Sequence, residues 1–227
     1  MQEKERYAFF DFCETLADFQ TADAFVDYVR EQTDNCRMRR LEKMLCVLER
    51  FKVLKLLRVL SFEKVYFRKR LKLYQLKGFF ESDLVKLANS YYNGKIRPHL
   101  IKKVVEELQQ KQREGYAVGL VSGGYSIYLA FFVKEFGLDF CYACNMGFNK
   151  GYCTGKMVGM ECMRGNKVKI LEKDLMTNKL IKRGSVAYSD SISDLPLLRW
   201  VDTGVVVSKK CHQEWVDKYN LKELIWE

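Results

Sequence analysis

Three short apolar runs of this chain end in residues able to do chemistry. Residues 6–10 (Arg-Tyr-Ala-Phe-Phe) lead into Asp11, Tyr116–Val121 into Ser122-Gly123-Gly124, and Val186–Tyr188 into Ser189-Asp190. As parallel strands of an open α/β sheet, these runs would share one carboxyl edge, where such sheets bind their ligands. Carboxylates gathered at one edge repel each other and call for a hard cation such as Mg²⁺. A Ser-Gly-Gly turn entering a helix offers a hydroxyl and backbone N–H groups at a positive helix end, which suits phosphate. Together they point to phosphoryl chemistry.

The elements that must position these residues are legible in the periodicity. Residues 17–93 hold one glycine and no proline, and apolar residues recur at helical spacing: Phe25 and Val29, then Leu41, Leu45 and Leu48, then Leu84, Leu87 and Ala88. This stretch reads as several helices without a strand. Asn93-Gly94 reads as a break, and Pro98 as the first turn of a helix reaching about residue 112. Beyond Gly115, strands over 116–121, 140–144, 186–188 and 205–207 are separated by helices near 125–136 and 166–175. That alternation predicts an α/β fold: a Rossmann-like parallel sheet with helices on both faces. Residues 1–16 and 94–227 would form this core, and residues 17–93 an all-helical insertion after the first strand.

Composition narrows the class. At 227 residues, 48% hydrophobic and 30% charged, the chain has the makings of a sizeable core. Eight irregularly spaced cysteines and a charged N-terminus without an export signal fit a cytoplasmic protein with reduced thiols. The net charge of +10 is concentrated in one place: residues 37–77 carry 14 Lys and Arg against 3 Asp and Glu. A single basic segment suits an anionic substrate body or an anionic membrane surface. Its leucines (Leu41, Leu45, Leu48, Leu56, Leu60) suit equally a cap with its own core and a solvated basic face. Tyr66, Phe67 and Tyr74 among the charges match no nucleic-acid module, so no nucleic acid is expected.

The motifs occur in a telling order: Asp11-Phe12-Cys13-Glu14-Thr15, then Ser122-Gly123-Gly124, then Lys167, then Ser189-Asp190-Ser191-Ile192-Ser193-Asp194. The chain resembles, over nearly its whole length, the haloacid dehalogenase-like superfamily of phosphohydrolases, in its phosphoserine phosphatase-like branch. The resemblance implies that Asp11 is the nucleophile of an aspartyl-phosphate mechanism. It implies an Mg²⁺ site at Asp11, Asp190 and the backbone carbonyl of Cys13, oriented by Asp194. Ser122 and the Gly123 N–H would hold phosphate oxygens, and Lys167 would neutralise charge between nucleophile and phosphoryl group. The helical insertion would be a cap over the site, and the substrate a small phosphorylated molecule.

Two positions depart from that pattern. Cys13 stands where the phosphatases of this family carry a second aspartate, which protonates the leaving group and activates water, help worth ~10²–10⁴-fold. Three outcomes stay open: hydrolysis of good leaving groups, phosphotransfer to an acceptor other than water, and a low-turnover pseudophosphatase that binds a phosphorylated ligand. The first is the reading favoured here. Gln20 stands where phosphoserine-specific members place an acidic residue for the substrate ammonium, which argues against phosphoserine.

Other residues carry little. Taken alone, Lys167 reads as a surface lysine beside Lys169 and Lys173. Cys141 and Cys144 form a lone Cys-x-x-Cys whose members would face opposite sides of a strand. His99 and His212 are isolated in the sequence and fit surface or packing positions.

Overall fold

The computed structural model describes residues 6–53, 67–178 and 183–227, with side chains omitted for 175–178. Leu56, Leu60 and Tyr66 lie outside the described residues.

The sheet has seven strands in the order β4-β3-β2-β1-β5-β6-β7. They are β1 (Tyr7–Phe10), β2 (Ala117–Tyr125), β3 (Phe140–Asn149), β4 (Tyr152–Val158), β5 (Val186–Ser189), β6 (Thr203–Ser208) and β7 (Lys222–Ile225). Every pairing is parallel except that of β3 with β4. β1 lies at the centre, and Ala8, Phe9 and Phe10 are buried, as a strand covered on both faces requires. Because β1 is flanked by β2 and β5, the three chemistry-bearing strand ends are neighbours. This is the Rossmann-like α/β core expected from the sequence.

Between β1 and β2 the described residues form α1 (Thr21–Thr33), α2 (Cys36–Arg50), α3 (Phe67–Tyr74), α4 (Glu81–Tyr91) and α5 (Lys102–Arg113). Phe25, Val26 and Val29 of α1 are buried together with Leu73, Leu84 and Ala88, the face that the helical spacing marks. The remaining helices are α6 (Ser126–Phe136), α7 (Gly165–Asn178), α8 (Leu195–Trp200) and α9 (Glu214–Lys218).

The structure corrects several boundaries. Asn93-Gly94 does not break the chain: α4 runs on into a π-helical turn over Tyr92–Ile96, anchored by buried Tyr92 and Ile96. Pro98 lies in a 3₁₀ turn, Arg97–His99, and the next helix starts only at Lys102. Ser122-Gly123-Gly124 is not a helix-entry turn but the irregular end of β2, where the register with β3 shifts between Val121 and Tyr125. β4 and β7 are additional strands. β4 returns from β3 through Lys150-Gly151, both at positive φ (49° and 77°), a two-residue turn whose lysine disguises it.

The charge of segment 37–77 is also placed differently from a single exposed basic face. Lys69 and Lys72 are buried. Lys72 Nζ is 2.7 Å from both Asp27 and Glu42. Arg68 is paired with Asp23 and Glu49, and Arg70 with Glu161. Among the described residues no helix is long and apolar enough to cross a membrane.

Candidate active site

Asp11 directly follows β1, with its N–H donating to the Tyr188 carbonyl of the neighbouring strand (2.9 Å). Both carboxylate oxygens are committed. Oδ1 accepts the Phe12 N–H (2.6 Å), and Oδ2 stands 3.1 Å from Lys167 Nζ. After Asp11 the chain turns sharply, with the Leu16 and Ala17 N–H groups both donating to the Phe12 carbonyl and Glu14 at φ 56°.

Lys167, at the start of α7, is buried to 2% exposure and is no surface lysine. Its ammonium spans Asp11 and Asp194, at 2.5 Å from Asp194 Oδ2. Burial alone would lower the lysine pKa, but the two carboxylates outweigh that and hold it above its ordinary value. Ser189 Oγ donates to the same Asp194 oxygen (2.8 Å). In this geometry Asp194 fixes the lysine. Thr15 locks the β1 loop to the β5 loop: its hydroxyl donates to Asp190 Oδ1 (2.9 Å) and accepts the Asp190 N–H (3.0 Å).

Asp11, Cys13, Gly123, Lys167, Asp190 and Asp194 line one cavity of about 380 Å³. Ser122 is fully buried and lies beside that cavity, not in its wall. Its Oγ accepts the Gly124 N–H (3.1 Å), a bond that leaves the hydroxyl proton free to donate.

Burial pushes the Asp11 carboxyl up to about 6, Lys167 opposing and Asp194 adding to the shift. Burial and then the charge of Asp11 push Asp190 up to about 7. The Asp11 charge thus bears on Asp190, while Asp11 itself answers to burial, Lys167 and Asp194. Among the described residues no three His, Cys, Asp or Glu side chains gather as a metal cage. The carboxylates of Asp11 and Asp190, both in the wall of one cavity, nevertheless fit Mg²⁺, which takes few protein ligands and completes its shell with water and ligand oxygens.

Cys13 lines the cavity and meets the start of α1. Its thiol lies 3.0 Å from Thr21 Oγ1, which in turn lies 2.8 Å from the Tyr128 hydroxyl, all three groups being buried. Burial and the Asp11 charge raise the thiol pKa, so Cys13 is a neutral thiol. Sequence reasoning could not find this chain of contacts, because Thr21 and Tyr128 are 107 residues apart.

Of the other residues lining the cavity, Lys69 and Glu14 bear most directly on the site. Lys69, from α3, donates to the Gly123 carbonyl and lies 5.3 Å from the Tyr125 ring centre. Its only sequence signal was its place in the basic segment. Glu14 accepts a hydrogen bond from the Gln20 amide, so the neutral Gln20 is engaged with a neighbouring carboxylate. His99 pairs with Asp18 and His212 with Asp217 and Glu223, all away from the cavity. Cys141 is exposed and Cys144 buried, as opposite-facing strand residues should be, and all eight cysteines are free thiols.

A mostly parallel sheet thus carries a buried aspartate after its central strand, a buried lysine against it and a second aspartate after the neighbouring strand β5, at the edge where such sheets bind their ligands. The chain belongs to the haloacid dehalogenase-like hydrolases, whose family profile matches residues 8–199. It is 31% identical over 109 residues to a phosphoserine phosphatase of Streptococcus thermophilus, covering 48% of this chain and 49% of that protein. A phosphoserine phosphatase of Methanocaldococcus jannaschii is 24% identical over 125 residues, covering 53% and 59%. The chain thus spans about half the length of the curated relatives it matches.

Among solved structures, a Bordetella pertussis protein of unknown function superimposes with a TM-score of 0.81 at 21% identity, covering 97% of this chain and 98% of that one. A phosphoserine phosphatase with an analogue of a phospho-aspartyl intermediate gives 0.64 at 20% identity, covering 99% and 95%. At these identities the likeness is one of fold.

Proposed function

We propose that the protein is a phosphomonoesterase that works through an aspartyl-phosphate on Asp11, with the helical insertion as cap. The observation that carries this reading is the Asp11 carboxylate, held on one side by the Phe12 N–H and on the other by the buried Lys167 ammonium, at the edge of a cavity. Asp11 Oδ attacks phosphorus, a new P–O bond forms, and the ester P–O bond breaks with its electron pair leaving on the alcohol oxygen. Water then attacks the aspartyl-phosphate and releases inorganic phosphate. Lys167 cancels charge as carboxylate and phosphoryl group approach. The Gly123 N–H and the Ser122 hydroxyl are the donors for phosphoryl oxygens. Asp11, Asp190 and the Cys13 carbonyl would hold Mg²⁺, which supplies charge neutralisation to the phosphoryl group when bound.

The leaving oxygen needs a proton unless it is a stable anion. Cys13 is a poor source and a poorer base, because its thiol is buried, neutral and bonded towards Thr21. The enzyme is therefore proposed to favour esters with good leaving groups. Phosphoserine is disfavoured: Gln20 is neutral, the Glu14 carboxylate beside it is taken up by the Gln20 amide, and the cap contributes the Lys69 ammonium to the cavity.

The test compares p-nitrophenyl phosphate with an alkyl phosphate, in the native protein and in Cys13→Asp. The reading expects turnover of the first substrate by both proteins and a gain on the second only with the aspartate. Absence of turnover together with stable phosphorylation of Asp11 would favour phosphotransfer or stalled hydrolysis instead.

A further inference from the structure

A second, larger cavity adjoins the site. It measures about 1060 Å³ and lies between α3 on one side and β4 with the loop that follows it on the other. Met163 and Arg164 line both cavities, so they form the partition. Met163 packs closely against the site side of that wall. A Cβ placed on Gly123 would stand 3.1 Å from its Cγ, and Lys69 Nζ is 3.6 Å from its sulfur. A methionine is the side chain that most readily re-packs to let a ligand pass.

The larger cavity is amphipathic. Leu71, Tyr74 and Met160 line it at 37%, 40% and 51% exposure, which gives it an apolar wall. Arg70 on its rim is neutralised by Glu161 at 2.9 Å. Lys156 and Lys169 also line it, are exposed, and form no ion pair among the described residues. The site cavity of about 380 Å³ accommodates a phosphoryl group and a small alcohol. The adjoining one lies at the top of the ~300–1,000 Å³ range of pockets that enclose whole organic ligands.

We propose that the alcohol half of the substrate runs past Met163 into this cavity, and that the substrate is a phosphomonoester whose apolar body ends in a second anionic group, phosphate or carboxylate, met by Lys156 and Lys169. This rests on the phosphomonoesterase reading and names its substrate class. The apolar wall takes the body out of water, and the two lysines, paired with no carboxylate among the described residues, meet the far anion.

The test is a chain-length series of straight alkyl monophosphates, the matching α,ω-bisphosphates and the matching ω-carboxyalkyl phosphates. Affinity is measured by calorimetry in Mg²⁺ buffer, and hydrolysis of p-nitrophenyl phosphate is followed on the same preparations. At one chain length a second anion should tighten binding by about tenfold or more over the monophosphate. The double variants Lys156→Glu/Lys169→Glu and Lys156→Gln/Lys169→Gln should erase that advantage while changing p-nitrophenyl phosphate kcat/KM by less than about twofold. Whichever of the two anions gives the advantage identifies the terminal group.

Met160→Asp should weaken every long-chain ligand. Equal affinity of mono- and dianionic ligands at all lengths, or an advantage that survives both double variants, would overturn the proposal even if p-nitrophenyl phosphate is hydrolysed. An advantage lost in the variants of a protein that hydrolyses nothing would uphold the anion site and overturn the hydrolytic reading.

Discussion

Lys167 is the side chain on which the site's electrostatics turn. It is the cation between two buried carboxylates, so Lys167→Ala leaves Asp11 and Asp194 facing each other without compensation. Breaking such a buried group costs ~3–5 kcal/mol, less whatever one carboxylate recovers by taking a proton. Thermal unfolding should record the loss, and turnover of p-nitrophenyl phosphate should fall by ~10²–10³, as expected for removing a positioned charge. Cys13→Asp acts in the opposite sense on a poor leaving group, raising alkyl phosphate turnover by up to ~10²–10⁴. An unchanged rate would mean that proton transfer does not limit it.

At this scale Asp11, Lys167 and Asp190 were legible, because they belong to ordered motifs. The partners of Cys13 were not, since Thr21 and Tyr128 meet it only through folding. Nor was Lys69, one cation among the 14 of its segment.

Among the elements, α3 and β4 approach each other at a glycine. Gly155 has φ 71°, and a Cβ there would stand 2.9 Å from Lys77 Cβ and 3.0 Å from Tyr74 Cα. Gly155→Ala adds a strained backbone and an overlap with α3, for a cost of ~1–3 kcal/mol. In a chain of this size that lowers Tm by roughly 2–4 °C per kcal/mol, readable by calorimetry. A variant as stable as the native protein would show that the helix and the hairpin are not packed this closely.

The α/β alternation and the helical insertion could be read from periodicity alone. The β3–β4 hairpin could not, because its turn uses Lys150 where Asn or Asp would have announced it. The π-helical turn over Tyr92–Ile96 was equally hidden: Asn-Gly ordinarily ends a helix, and here two buried anchors, Tyr92 and Ile96, carry the helical path through it.

For the molecule as a whole, the two raised carboxylates couple stability to pH. Asp11 and Asp190 rise from 3.8 to about 6 and about 7, so their protonated forms favour the fold. That contribution is fully present below about pH 4 and is lost as pH climbs through the folded values, towards 7. The metal-free protein should lose Tm over this interval, and metal-free Asp190→Asn should lose less. Added Mg²⁺ should restore Tm near pH 7–8 and do little near pH 5, where protons hold the same oxygens. A Tm response to Mg²⁺ that does not change with pH would place the cation elsewhere. The basic excess, which in sequence looked like one anion-seeking face, is partly spent inside the protein on Asp23, Asp27, Glu42, Glu49 and Glu161. What it leaves beside the site is Lys69, turned towards Gly123.

The most direct test of the central claim is phosphate incorporation at Asp11. The native protein and Asp11→Asn are mixed with p-nitrophenyl phosphate and Mg²⁺, quenched rapidly in acid, and digested for mass spectrometry while p-nitrophenol release is followed. The account predicts a phosphorylated peptide containing Asp11, and turnover that disappears in Asp11→Asn. Turnover that survives Asp11→Asn, or phosphate found on another residue, would contradict it.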